Sequence, residues 1–350
     1  MLNKRSFIRL IKLAHIFVFE KINQEDNFMS AIHETAYPRI KPYLDSDDLQ
    51  KLFMPTPEEL LLLNKHTKKT LTVSRLGFMV LLKCYQYLGR PVKVAKIDLL
   101  IKKYIAESIG VNFSIDLIDY TKITRKRHLK VIRAYLNINV NKKDRRKIIK
   151  ASALNAATTK ENLADIINVI IEELIKSKFE LPAFKRLVRI ARAARTVVNN
   201  KNYLEIVTQL SLEQKQIIDD LSFQENVVIE SDVPELDKPM TWLSLKQQAK
   251  KPTKNNIREY VFYVNKLKSI RQQLNVDISF ITPARLEQLR DEAIAADKDD
   301  MIRMRSIKRY ALSLILIHLK TASSIDDITQ VFIGWIRQIE NIGKEALKVY

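Results

Sequence analysis

The sequence predicts an all-α protein: several small helical, helix-turn-helix-like domains followed by a helical scaffold block. Three observations carry this reading. Apolar residues return at every third or fourth position, as in Leu163, Ile166, Ile167, Ile170, Ile171 and Leu174, which is the period of a helix face. Helix start signals recur along the chain. Only five glycines and ten prolines punctuate 350 residues, where ordinary usage gives roughly 25 and 17, so tight β-turns and Gly-rich phosphate loops are disfavoured. A hydrophobic share of 46% is enough to bury a core, and at about 150 residues per unit the length suggests two or three domains.

Taken in chain order, residues 1–28 read as a leader. Lys4 and Arg5 followed by Leu13 to Phe19 imitate a signal peptide, but no small-residue cleavage site follows, which favours an amphipathic segment over secretion. Residues 29–145 read as a first helical DNA-binding domain. Within it Thr56-Pro57-Glu58-Glu59 combines a capping Thr, a Pro at the first helical position and a Glu placed to bond back. The run Thr124 to Arg133 predicts a basic helix with Leu129, Ile132 and Leu136 for the core. Residues 146–222 read as a second, basic, helix-turn-helix-like domain. Thr158 with Glu161 and Ser211 with Gln214 repeat the capping box, and a helix from Glu161 to Lys176 is joined by Ser177–Glu180 to another that starts at Leu181-Pro182 and runs through Val198. Residues 223–239 read as an acidic linker containing the one strand candidate, Asn226 to Glu230. Residues 240–350 read as a helical scaffold or dimerisation block, with apolar-rich helices at Ile257–Leu274 and Met301–Leu319. An ordinary monomeric core is the equal alternative there.

Charge narrows the function. Sixty Lys and Arg against forty Asp and Glu leave a net charge of +20, an excess that answers to a polyanion. Residues 121–205 hold 21 cations against 7 acids, so +14 of the +20 lies in one quarter of the chain. On a helical wheel Lys185, Arg189, Arg192 and Arg195 cover one side of the Pro182–Val198 helix with Arg186 at its edge, while Leu187, Ile190, Ala191, Ala194, Val197 and Val198 share the other. No acid at i+3 or i+4 relieves the repulsion among these cations, so a face turned to DNA explains them better than a solvated one. Asn199, Asn200 and Asn202 beyond the helix suit capping or hydrogen bonds to phosphate and base edges. Arg125, Lys126, Arg127, Lys130 and Arg133 form a second basic helix, and Lys142, Lys143, Arg145, Arg146, Lys147 and Lys150 extend the positive charge. Neither basic helix interleaves aromatics for stacking on unpaired bases, which favours duplex DNA.

Catalytic constellations are not found. The five histidines, His15, His33, His66, His128 and His318, have no metal-ligand spacing, and no Walker loop, GxSxG or GxGxxG occurs. Cys84 sits in an apolar stretch as an inert buried thiol, and a single cysteine fits a reducing cytoplasm. Asp299-Asp300 and Asp326-Asp327 fit helix N-termini. No cofactor is expected, and no apolar run reaches the ~20 residues of a membrane-spanning helix.

Specific strings then resemble the N-terminal region of the Tn3 family of replicative transposases: Met29 to Arg39, Thr56 to Leu60, Ser74-Arg75-Leu76-Gly77-Phe78, and Thr124 to Leu129. Leu181-Pro182 with the Arg-rich helix, Trp242-Leu243 and Ile270-Arg271 follow in the expected order. The resemblance covers about residues 29–350. It implies N-terminal helical domains that bind the terminal inverted repeats of a transposon, with a ribonuclease-H-like Asp/Asp/Glu domain beyond residue 350, so that no catalytic residue carries over. DNA contact carries over to Arg75, Arg125, Arg127 and the Arg186–Arg195 helix. Residues 1–28 have no counterpart, and Glu287–Met301 lacks an expected glycine. The expected partners are double-stranded terminal-repeat DNA, a second copy of the chain and a separate catalytic transposase part. A stand-alone regulator derived from a transposase, and a nonspecific nucleic-acid or membrane-surface binder, are the competing readings.

Overall fold

A computed structural model describes residues 33–113, 120–223 and 239–348. The leader, the strand candidate at 226–230 and nearly all of the acidic linker lie outside these residues. Among those described, helices account for all regular structure apart from one isolated parallel bridge, Asn139 to Phe179. The fold is all-α, as the apolar period predicts. No described helix is long and apolar enough to cross a membrane. The described residues divide into two compact units, the first ending at Arg195 and the second starting at Thr196.

The first unit is organised around α3 (Thr72–Leu88), which follows α1 (Ser46–Phe53) and α2 (Pro57–His66). Pro57 opens α2, and Thr56 and Glu59 complete the predicted capping box: Glu59 N–H donates to Thr56 Oγ1 at 3.3 Å and Thr56 N–H to Glu59 Oε2 at 2.9 Å. From Arg75 to Leu88 only Gln86 in α3 escapes burial, so the helix lacks a polar face and serves as the core itself. Cys84 is fully buried there, and burial pushes its thiol up to about 12. Gly89 ends α3 with φ of 64°, a left-handed turn that costs glycine little. Around this core lie α4 (Leu99–Ser108) and α5 (Lys122–Tyr135).

The remainder of the unit is α6 (Lys142–Thr159), α7 (Leu163–Lys176) and the start of α8 (Phe184–Thr208). Ala153, Ala156 and Ala157 of α6 and the buried Ile and Leu side chains of α7 let these two helices pack closely. The predicted box at Thr158 and Glu161 does not form. Thr158 is still inside α6, donating its hydroxyl to Asn155 O at 2.6 Å, and Asn162 caps α7 by accepting from Ala164 N at 2.9 Å. The break proposed at 145/146 falls within α6, and residues beyond it return to the first helices. Ala36 N–H donates to Asn168 Oδ1 at 2.7 Å, Leu181 N–H to Gly89 O at 2.9 Å, and Tyr37 Oη to Pro182 O at 2.9 Å. These long-range bonds join residues 33–195 into one body.

The second unit contains the rest of α8, then α9 (Leu212–Phe223), α10 (Lys254–Gln273), α11 (Pro283–Ala295), the short α12 (Lys298–Arg303) and α13 (Ser306–Lys348). Ser211 and Gln214 form their predicted box at the start of α9, with bonds of 2.9 and 3.2 Å. The core gathers Tyr203, Ile206, Ile218, Trp242, Leu267, Leu289 and the Ala311–Ile317 stretch of α13. Helix α10 runs antiparallel to α13: Arg271 meets His318 at 3.3 Å, Tyr260 donates to Asp327 at 3.0 Å, and Pro252 lies against position 334. Asp326 and Asp327 therefore sit within α13 rather than at a helix start. Asp299 and Asp300 do open α12, where Asp300 completes a capping box with Asp297. In the segment without the expected glycine, α11 stops at Ala296 with φ of −69°, outside the left-handed region.

Candidate nucleic-acid interface

The basic segments of the first unit meet around one carboxylate. Glu180, in the connection between α7 and α8, accepts from Tyr85 Oη of α3 at 2.6 Å and from Arg133 Nε at the end of α5 at 2.6 Å. Its other oxygen lies 3.6 Å from Arg145 in the second turn of α6. One acid thus ties together the end of α5, the beginning of α6 and the approach to α8. Burial and the Glu180 carboxylate push the Tyr85 hydroxyl far above its ordinary range, so it remains a neutral donor. The connection is shaped further by Lys178 in the left-handed region, φ 57°, and by Asn139 N–H donating to Lys178 O at 2.8 Å.

Around this anchor most of the remaining cations of α5, α6 and α8 face water. Lys126, Arg127 and Lys130 of α5 are exposed, as are Lys142, Lys143, Arg146, Lys147 and Lys150 of α6. The first turns of α6 are unfavourable for cations, because the positive end of the helix macrodipole adds to their charge. Asn141 and Asp144 offset part of this, with Asn141 accepting from Lys143 N at 2.9 Å and donating to Asp144 Oδ2 at 2.6 Å. On α8 Lys185, Arg186, Arg189 and Arg192 are exposed, while Leu187, Val188, Ala191 and Ala194 are buried.

The α8 wheel needs two corrections. Its buried arc centres between Leu187 and Val188, so Arg189 points directly away from the core. Val197 lies roughly 110° from the arc's centre at 3.6 residues per turn and is 56% exposed. Arg195, expected on the open side, lies at the edge of the arc and is half-buried. The helix also begins at Phe184 and runs on to Thr208.

Other expected contacts are engaged inside the protein. Arg75 is 8% exposed and donates to Asn64 Oδ1 at 3.0 Å. Arg125 is half-buried and gives Nε and a terminal nitrogen to Val92 O at 3.3 and 2.9 Å. Asn199, in the second unit, accepts from the buried Arg285. These three are placed as packing groups, and Arg133 as an anchor. What remains is a surface of lysines and arginines from three helices.

Residues 28–194 match the family described as Domain of unknown function (DUF4158). No curated protein matches the chain. The DUF4158 match includes Glu180, all its partners and every exposed cation named above, and it stops short of Arg195 and Asn199. The signal for Glu180 was present in the sequence, since it is the one acid between Glu173 and Glu205. Its lone position among cations marks an internal counter-ion.

Proposed function

We propose that the first unit binds double-stranded DNA, as the part of a Tn3-like transposase that holds the terminal inverted repeats, and that this chain acts by binding rather than catalysis. The observation that carries the reading is the convergence on Glu180 of the end of α5, the beginning of α6 and the approach to α8, helices on which Lys126, Arg127, Lys130, Lys142, Lys143, Arg146, Lys147, Lys150, Lys185, Arg186, Arg189 and Arg192 are exposed. Such a surface suits the phosphate backbone, where each neutralised phosphate releases condensed counter-ions. Helix α8 has the form of a groove-entering helix: it follows a short connection and presents Arg186 and Arg189 on its open side. The matched family is described only as a domain of unknown function, so the transposase part of this reading rests on the sequence resemblance.

The test is a salt series of binding isotherms on terminal-repeat duplex and on scrambled duplex of equal length. We expect tighter binding to the repeat, since phosphate contacts alone carry no sequence information. Arg186→Ala/Arg189→Ala should keep its circular dichroism and lower the slope of log affinity against log salt by about 2 if both residues meet phosphate. If one reads a guanine edge, the loss concentrates on the repeat at about 1 to 3 kcal/mol. Unchanged affinity and slope would refute the reading, and equal binding to both duplexes would assign the surface to nonspecific nucleic-acid binding.

A further inference from the structure

We propose that α10 of the second unit is a DNA-reading helix that lies in the major groove of a duplex. The net charge of the chain is sorted into two blocks. Residues 246–271 hold eight Lys and Arg against the single acid Glu259. Their net +7 stands beside the +14 of residues 121–205, so the rest of the chain sums to −1. The second block lies outside the DUF4158 match, which ends at residue 194, and the surface around Glu180 does not account for it. A charge excess confined in this way answers to a polyanion rather than to solubility.

Packing sets which side of α10 is open. Tyr260, Tyr263, Val264 and Leu267 are buried in the core that α10 shares with α13. Lys254, Arg258, Val261, Asn265, Lys268 and Gln272 are exposed. They follow at spacings of four, three, four, three and four, which at 3.6 residues per turn confines them to an arc of about 80°. Glu259 falls off this arc and pairs with Lys250 at 3.6 Å. Lys254 and Arg258 thus stand at i and i+4 with no carboxylate paired to them among the described residues, a like-charge contact that destabilises the helix and that phosphate relieves. The order of side chains along the arc fits a groove. Arg258 and Lys268 are about 15 Å apart along the axis at 1.5 Å per residue, enough to reach phosphates on both walls of a major groove about 12 Å wide. Between them lie Val261, 41% exposed, and Asn265. The first suits a thymine methyl, and the second has an amide that pairs with adenine N6 and N7.

The test is a salt series of binding isotherms for the full chain on a pool of random-sequence duplexes, followed by sequencing of the duplexes it selects. Lys254→Ala/Arg258→Ala/Lys268→Ala, at exposed positions, should keep its circular dichroism and make log affinity against log salt shallower by about 2.7, at roughly 0.9 per phosphate. Arg337→Ala/Lys344→Ala, which removes two exposed cations of α13, should leave the slope unchanged. Asn265→Ala should keep the slope and relax the preference for adenine at one selected position by about tenfold, and Asn265→Gln should retain that preference. This contact shares only its class of ligand with the first-unit surface, and the two fail separately. A slope that falls for the α10 variant but not for Arg186→Ala/Arg189→Ala supports α10 and refutes the first-unit surface; the reverse result overturns α10. An equal fall in the α13 control would also overturn the proposal, as would an Asn265→Ala chain that selects the same sequences as the wild type, or a wild-type chain that binds no duplex.

Discussion

Gly77 owes its identity to a ring. A Cβ at this position would stand 2.5 Å from Cδ2 of Tyr120, so Gly77→Ala must push the ring aside and should lower stability by about 1 to 3 kcal/mol in urea unfolding. Gly343 has nothing within 4 Å of its Cβ position and stands in α13, where the same substitution should stabilise the helix by about 0.5 to 1 kcal/mol. The Tyr120 hydroxyl lies 2.8 Å from His128 Nδ1, and that imidazole is held down to about 4 by burial, by Arg127 and by His66. Between the unfolded value of 6.5 and about 4 the unfolded chain binds more protons. The neutral His128 therefore contributes stability fully above pH 6.5, and that contribution disappears as pH falls toward 4. His128→Asn, which keeps a polar atom beside Tyr120 without titrating there, should flatten the fall in midpoint across this window; an unchanged slope would assign the acid sensitivity elsewhere. Sequence reading is weakest at this scale. Arg75 and Arg125 look like cations for DNA because charge is visible in a sequence and burial is not, and their partners, Asn64 and the Val92 carbonyl, carry no charge to announce them.

At the scale of elements, starts were legible where one signal stood alone. Thr56-Pro57 and Ser211 cap as read, whereas near Thr158 several cap-capable residues compete and α6 extends to Thr159 before Asn162 takes the role. Asp326 and Asp327 looked like a helix start because an acidic pair is the same string at an N-terminus or in mid-helix. Tyr260 and Lys320, at 3.0 and 3.8 Å, are what hold Asp327 there. The joint at Glu180 is an arrangement of elements that no local pattern encodes, since its partners at 85, 133 and 145 are distant in sequence. Glu180→Gln keeps the shape and removes the charge between two guanidinium groups, and should cost about 1 to 3 kcal/mol in urea unfolding. Adding Arg133→Met should restore part of that loss, because it removes a cation left without its counter-ion. Additive losses in the double variant would show that the two groups do not interact.

For the whole molecule, the uneven distribution of charge was legible and the division into units was not. Continuous helices cross both the expected break at 145/146 and the observed one at 195/196, so neither carries the glycine or proline that would mark it. The two units have separate cores, one including Leu81 and the other Leu267, and unfolding should therefore depart from a single two-state transition. Leu81→Ala and Leu267→Ala, each at a fully buried site, should each cost about 2 to 5 kcal/mol and each move a different transition in calorimetry. If both lower one common transition, the units unfold together. The two tryptophans, Trp242 and Trp335, both fall in residues 196–350. Trp242 is 3% exposed with its indole N–H bonded to Ala296 O at 3.0 Å, and Trp335 lies half-covered on α13. Indole emission is consequently blind to the DUF4158-matched unit and follows its neighbour alone, so the intrinsic fluorescence of the unaltered chain separates the melting of one unit from that of the other without any label.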